Sequence, residues 1–225
     1  MLTRSSLSTE FAINRLSFIE MDVVVTRFNE NVDWTNNLPY TFFIYNKGLP
    51  HLKQNVIQTL NYGREADSML LHIIQRYNCL SETTAFLQAD PFDHCWNVLQ
   101  LLEKHQHSKE VVWLGSNWGQ ITKRFDGGPG NANPFPILEM CQKLFGDCSL
   151  DTNTQFTFSA GAQYIVPKSY IHNKSLEWWQ HAYYVFRQFF CLSHYGQKNS
   201  SPWIFERIWP LIWNYSTNQT SYVLV

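Results

Sequence analysis

The sequence predicts an α/β fold in one domain, with a mostly parallel central sheet flanked by helices. Short apolar, β-branched segments alternate along the chain with longer segments of helical periodicity. This alternation is typical of parallel sheets that are covered by helices. A length of 225 residues is ample for one core. We assign residues 22–213 to the domain, residues 1–21 to an N-terminal tail and residues 214–225 to a C-terminal tail.

The first half of the chain begins with a strand–crossover–strand pattern. Residues 22–26 form an apolar β-branched run, which predicts a buried parallel strand, and residues 27–30 form a polar turn after it. A short helix is expected over residues 32–38, followed by a second strand over residues 40–45. The order of these elements is that of a βαβ unit.

A helix and a third strand follow. Gly63 marks the entry to the helix, and Glu65 and Asp67 lie in its first turn, where acids suit the helix dipole. The apolar stripe of this helix recurs at helical spacing and consists of Met69, Leu70, Ile73, Ile74 and Tyr77. Residues 83–88 predict the third strand, and residues 98–107 the next helix.

The second half of the chain begins with a long loop rich in glycine and proline over residues 114–136. Loops of this length inside a domain are usually functional. A short helix is expected over 137–145, strands over 155–159 and 163–166, and an aromatic, largely buried helix over 175–190.

The last helix is expected to open at Ser201-Pro202, because serine is a favoured N-cap and proline a favoured first residue. Pro210 should end or kink this helix, since its ring clashes with the carbonyl group of Glu206.

Composition excludes several classes of protein. With 17 basic and 18 acidic residues, the charge gives no reason to expect nucleic acid as a partner. No apolar run approaches the roughly 20 residues of a membrane helix. The five cysteines are odd in number and form no CxxC motif, which favours reduced thiols and a cytoplasmic protein.

Aromatic residues make up 16% of the chain. Most of them are expected in the core, where rings supply apolar area. Trp113, Trp118 and Trp203 lie in or beside the long loop and at the start of the last helix. We expect these three to form a wall on which a flat or ring-shaped ligand can stack.

The first candidate site is the string that follows the third predicted strand. Gln88, Asp90, Asp93 and His94 lie there, and ligands of open α/β sheets bind at the carboxyl ends of strands. Two carboxylates and an imidazole are suitable ligands for Mg²⁺ or Mn²⁺. From the cluster alone, a turn with both aspartates as caps is the commoner arrangement.

Two further strings carry polar groups, and the first of them lies on the same rim as Asp90 if both strands belong to one parallel sheet. Arg27, Asn29 and Glu30 follow the first strand and suit a phosphate or a base, with a solvated loop as an equally probable alternative. Gly63 and Arg64 precede a helix, where exposed amides and a guanidinium group attract anions.

The last helix supplies a candidate base. Glu206 lies beside the apolar stripe of this helix and is a candidate general base that faces a cleft. An ion pair with its neighbour Arg207 is at least as probable from the helix alone.

The strings VVVTRFNE, IYNKG, NYGREADSMLLHII, FLQADPFDH, FSAGAQYIV and PWIFERIWP together resemble a family of uncharacterised domains found in fungi, bacteria and other lineages, a domain of unknown function. The resemblance spans about residues 22–212. That family is in turn distantly similar to the GT-A nucleotide-sugar glycosyltransferases, which have a Rossmann-related fold.

The resemblance implies a donor site and an acceptor site. In the GT-A fold the first strand ends in a loop that contacts the nucleotide, and a later strand ends in an Asp-x-Asp motif that holds Mn²⁺ or Mg²⁺ and the diphosphate. Here Gln88 replaces the first acid of that motif, so metal dependence is open. A glycine-rich strand on the acceptor side resembles the string at Gly161, and a downstream acid resembles Glu206.

The expected function is transfer of a sugar from a nucleotide-sugar donor to the hydroxyl group of a carbohydrate or glycoconjugate acceptor. Two alternatives stay open. One is a non-catalytic binding module on the same scaffold, and the other is a metal-dependent hydrolase that uses Asp90, Asp93 and His94.

Overall fold

A six-stranded sheet lies at the centre of the fold, and four adjacent strands of it are parallel. The computed structural model describes residues 21–51, 55–115, 120–124, 136–146, 155–192 and 201–214. The strands of this sheet are β1 (Met21–Arg27), β2 (Thr41–Asn46), β3 (Val56–Gln58), β4 (Thr83–Gln88), β5 (Val112–Trp113) and β8 (Tyr164–Pro167). Their order is β3-β2-β1-β4-β8-β5. The four adjacent strands β3, β2, β1 and β4 are parallel to one another, whereas β8 is antiparallel to both β4 and β5.

The remaining described strands form a separate antiparallel pair. They are β6 (Gln120–Arg124) and β7 (Gln155–Ser159). The helices of the described residues are α1 (Arg64–Arg76), α2 (Val98–His105), α3 (Ile137–Phe145), α4 (Lys168–His172), α5 (Leu176–Leu192) and α6 (Ser201–Asn214). Helix α6 packs on β7, on α1 and on α5, so it links the strand pair to the helices beside the central sheet.

Helices cover both faces of the central sheet because its parallel strands are apolar on both sides. Val23 and Val25 of β1 point to a core that includes Val98 and Leu102 of α2. Val24 points to the opposite core. Apolar residues of α1, α3, α5 and α6 fill that second core. This arrangement confirms the predicted α/β architecture with a mostly parallel sheet.

The structure corrects three details of the sequence-based assignment. In place of a helix over residues 32–38 there is one 3₁₀ turn, Asp33–Thr35. The chain is already extended at Asn36, whose φ is −70° and ψ is 142°, and Asn37 follows with a φ of 62°. Pro39 also disfavours a helical conformation for the residue before it.

The second correction concerns the long loop, because residues 120–124 of it form β6. The partner of β6 is β7, which lies beyond α3 in the chain. Trp118 and most of the glycines of the loop lie outside the described residues.

The third correction concerns Pro210, because α6 continues past it to Asn214. Residues 208–213 are all buried. Their packing offsets the loss of one backbone hydrogen bond.

A search of the described helices for a segment that is long and apolar enough to cross a membrane finds none.

Candidate functional site

A cleft lies at the carboxyl edge of the sheet, where the strand order reverses direction. From β1 the chain proceeds outward to β2 and β3, and then returns to place β4 on the other side of β1. In open α/β sheets, ligands bind at such switch points, outside the carboxyl ends of the strands.

Two connected cavities form this cleft. The larger has a volume of about 320 Å³, within the range of small-molecule sites. It is lined by Thr26, Arg27, Phe28, Glu30, Lys47, Asn61, Arg64 and Glu65. The smaller measures about 20 Å³, enough for a group the size of one water molecule. It is lined by Arg64, Glu65, Ala66, Gln88, Ala162, Pro202, Trp203 and Glu206. Arg64 and Glu65 belong to the lining of both cavities, so the two cavities are adjacent and connected through these shared side chains.

Arg27, the last residue of β1, lines the larger cavity. Its side chain is buried, and its Nε donates a hydrogen bond to the carbonyl oxygen of Glu30 at 2.8 Å. Its Nη1 donates to Oδ1 of Asn46, at the end of β2, at 2.7 Å. Arg27 therefore joins the ends of two strands, and it also presents a cationic edge to the cavity.

The loop after β1 is shaped by its own side chains. Oε2 of Glu30 accepts hydrogen bonds from the backbone N–H groups of Phe28 at 2.6 Å and Asn29 at 3.1 Å. Oδ1 of Asn29 accepts from the N–H group of Leu49 at 2.9 Å. Glu30 lines the larger cavity, whereas Asn29 is exposed and is not part of its lining.

A buried ion pair lies beside the larger cavity, which is lined by the cation of the pair, Lys47. Nζ of Lys47, directly after β2, lies 2.5 Å from Oδ2 of Asp67 on α1, and both side chains are less than 5% exposed. The hydroxyl group of Tyr183 on α5 donates to Oδ1 of Asp67 at 3.1 Å. These contacts fix α1 against the end of β2.

The N-terminus of α1 opens into the junction of the two cavities. Gly63 has a φ of 63° and is the N-cap, and a Cβ atom there would lie 2.6 Å from the ring of Phe186. Only glycine fits this position. The guanidinium carbon of Arg64 lies 4.6 Å from the ring centroid of Trp203. The N-terminal end of the α1 dipole and the charge of Arg64 favour an anion at this junction, whereas the carboxylate of Glu65 opposes it.

Gly161 connects the end of β4 to α6. Its N–H group donates to Oε1 of Glu206 at 2.7 Å, and its carbonyl oxygen accepts from Nε2 of Gln88 at 3.1 Å. Its φ is 95°, and an added Cβ would lie 2.7 Å from the ring of His94. Three residues predicted from separate motifs, Gln88, Gly161 and Glu206, therefore meet at one point.

The other predicted metal ligands lie outside the cleft. Asp90 and Asp93 are exposed, and neither they nor His94 are among the residues that line the two cavities. Across the residues that the structure describes, no group of three or more His, Cys, Asp or Glu side chains is arranged to hold a metal ion. The metal site stays a prediction.

The three tryptophans expected to form a stacking wall have different positions. Trp203 is 39% exposed and lines the smaller cavity. Trp113 is half-buried in β5, with its ring centroid 6.3 Å from that of Tyr164. Trp118 lies outside the described residues. Of the two that are described, only Trp203 belongs to the cleft.

Two residues of the cleft, Lys47 and Glu65, were not among the predicted site residues. Lys47 follows the carboxyl end of β2, so the rule that selected Arg27 and Gln88 applies to it as well. Glu65 was explained by the helix dipole alone, although the first turn of this helix lies at the switch point. Burial raises the pKa of Glu65, and the neighbouring Arg64 opposes this effect.

Comparison of the chain with protein-family models, curated proteins and solved structures gives no match.

Proposed function

We propose that the chain is a glycosyltransferase of GT-A-like, Rossmann-related fold, which transfers a sugar from a nucleotide-sugar donor to an acceptor hydroxyl group. The observation that carries the proposal is the cleft of two adjacent cavities at the switch point of the sheet. Cationic groups line one part of it, and a carboxylate from a distant helix, α6, closes the other.

The larger cavity suits the nucleotide. Its volume of about 320 Å³ and its position after β1 agree with the nucleotide loop of the fold that the sequence resembles. Arg27 and Arg64 supply positive charge, and the first turn of α1 supplies N–H groups for phosphate oxygens. Phe28 is 47% exposed at its wall and offers a ring on which a base can stack.

The smaller cavity has room for the incoming hydroxyl group, and the reacting sugar would lie between it and the larger cavity. Trp203 provides a flat apolar face there, and Gln88 and Glu206 provide polar groups. Glu206 is the carboxylate that the sequence assigns to the acceptor side. Since Arg64 lies between the two cavities, a diphosphate bound beside it would point its sugar toward Glu206.

A divalent cation is part of the expectation, and oxygen ligands such as Asp90 and Asp93 suit Mn²⁺ and Mg²⁺. Both side chains are exposed outside the lining of the cleft. As they stand, they do not form a metal site beside Arg64. We therefore assign no step of the reaction to the ion.

A non-catalytic binding module is the second candidate. One observation favours it: Gln88 replaces the first acid of the expected motif, and its amide group holds the carbonyl oxygen of Gly161. In a binding module, an Asp90→Ala variant keeps its partner binding and has no turnover to lose.

The test is release of nucleoside diphosphate from a panel of uridine, guanosine and cytidine nucleotide sugars, with Mn²⁺ or with EDTA. The proposal expects turnover of at least one donor by the wild-type chain. Turnover that survives EDTA would show that the ion is dispensable. Binding without turnover across the panel would favour the binding module, and no binding of any donor would contradict both candidates.

A further inference from the structure

Two carboxylates, Glu65 and Glu206, line the smaller cavity from opposite elements. Glu65 belongs to the first turn of α1, and Glu206 to α6. Their side chains are 20% and 16% exposed. Both therefore reach the cavity while being largely shielded from solvent.

The two carboxylates have different surroundings. Oε1 of Glu206 accepts the hydrogen bond of the Gly161 N–H group, and Oε2 lies 3.4 Å from Nη1 of Arg207. Nη1 of Arg207 is itself held by the carbonyl oxygen of Trp203 at 2.7 Å. Both oxygens of Glu206 are thus already engaged, one by the backbone and one by a fixed cation.

Glu65 lies where the two cavities meet, since it is part of the lining of both. Nε of the neighbouring Arg64 lies 3.5 Å from Oε2 of Glu65. This separation is like that of Glu206 and Arg207, but the side chain of Arg64 is 52% exposed whereas that of Arg207 is 17% exposed. The guanidinium group of Arg64 stacks on Trp203, so it is held to the side of the carboxylate. A sugar whose diphosphate lies beside Arg64 would have its reacting carbon near Glu65.

We propose that Glu65 is the catalytic base of the transfer and that Glu206 is a positioning residue that fixes Gly161. This inference rests on the proposed glycosyl transfer. Glu65 takes the proton of the incoming hydroxyl group, whose oxygen forms the new bond to the anomeric carbon. The bond from that carbon to the diphosphate breaks, and the electron pair leaves with the nucleoside diphosphate. The proton on Glu65 then passes to solvent.

The surroundings of Glu65 set the pH dependence. Burial raises its pKa, the charge of Glu206 on α6 acts in the same direction, and Arg64 and Lys47 act against it. A base is active when it is ionised, so turnover should rise with pH through the raised pKa and then level off.

The test compares Glu65→Gln with Glu206→Gln and with the exposed Glu103→Gln on α2 as a matched control. The reaction followed is donor hydrolysis, in which water takes the place of the acceptor, and binding of uridine and guanosine diphosphates is measured in parallel. The expected fall in kcat for Glu65→Gln is about 100-fold or more, with nucleotide affinity within about threefold of wild type. The rise of turnover with pH should also be lost.

Glu206→Gln retains an oxygen for the Gly161 N–H group, so we expect kcat within about tenfold of wild type and an unchanged pH profile. Glu206→Ala should be worse than Glu206→Gln. Turnover of Glu65→Gln within about threefold of wild type, with its pH profile intact, would overturn the role of Glu65 and leave the proposed transfer standing. Absence of turnover in the wild-type chain would overturn both.

Discussion

At the scale of single residues, burial of the cation Lys174 limits the stability of the chain. Lys174 lies between α4 and α5 and is 1% exposed, with Nζ 5.4 Å from the ring centroid of Trp178. Burial lowers the pKa of Lys174 to about 7. The aromatic faces offset part of the cost of removing the charge from water.

The sign of the pH effect follows from this lowered pKa. Because the unfolded chain holds the proton up to its ordinary pKa, the unfolded state binds more protons between pH 7 and that value. Stability therefore rises with pH across this window, and the full cost of burying the cation is felt below pH 7.

We predict that Lys174→Met is more stable than wild type at pH 6, and that this difference shrinks as pH approaches 10. The change should be at most about 1.4 kcal/mol per pH unit. Urea unfolding at several pH values measures it, and Lys143→Met on the exposed face of α3 is the control. A difference that stays constant with pH would contradict the assignment.

At the scale of elements, the cleft depends on close approach between the loop after β1 and the turn after β2. A Cβ atom on Gly48 would lie 1.4 Å from the carbonyl oxygen of Phe28. Gly48→Ala should therefore displace one of the two loops and destabilise the fold by about 3 kcal/mol.

Thermal unfolding measures the Gly48 effect, with Leu49→Ala as the control. Leu49 is 73% exposed, so its truncation should change stability by less than about 0.5 kcal/mol. Equal melting temperatures for the two variants would show that the loops do not approach as described.

The buried pair of Lys47 and Asp67 connects β2 to α1 and gives a second element-scale prediction. Asp67→Asn leaves the ammonium group of Lys47 buried without its counter-charge, at a cost of about 3–5 kcal/mol. The double variant Lys47→Met, Asp67→Leu should lose less stability than the sum of the losses in the single variants Lys47→Met and Asp67→Leu.

Urea unfolding of this double-mutant cycle provides the measurement. Glu82→Gln is its control, because Glu82 pairs with Lys168 at 4.0 Å in an exposed position and should contribute less than about 1 kcal/mol. A cost below that level for Asp67→Asn would mean that the pair does not hold α1 in place.

The longer elements were predictable from sequence because their signals are local. Strands β1, β2 and β4 are continuous apolar runs, and α1 and α3 carry clear apolar stripes. The strands missed are short: β3 has three residues, β5 has two and β6 has five. Such segments form because a neighbouring strand pairs with them, which no local pattern reports. Pro210 is a further example. The local rule predicts that proline ends or kinks a helix, but buried α6 continues past it.

At the scale of the whole molecule, the carboxyl-end rule accounts for Arg27 and Gln88, whereas Arg64 was predicted from a helix N-terminus and Glu206 from the last helix. Arg27, Arg64, Gln88 and Glu206 come from four separate segments and line one cleft. The metal string was the weaker inference, because adjacency in sequence does not determine where Asp90 and Asp93 point. Glu65 was not predicted as a site residue, because its favourable interaction with the helix dipole already explained an acid at that position.

The central claim is that this cleft binds the diphosphate of a nucleotide sugar beside Arg64. Calorimetric titration of wild type, Arg64→Ala and Lys104→Ala with uridine and guanosine diphosphates tests it most directly. Lys104 is an exposed cation near the C-terminus of α2, so it controls for net charge. We predict that Arg64→Ala weakens binding by about tenfold or more, while Lys104→Ala leaves it unchanged. An equal affinity in all three proteins, or no binding to wild type, would contradict the claim.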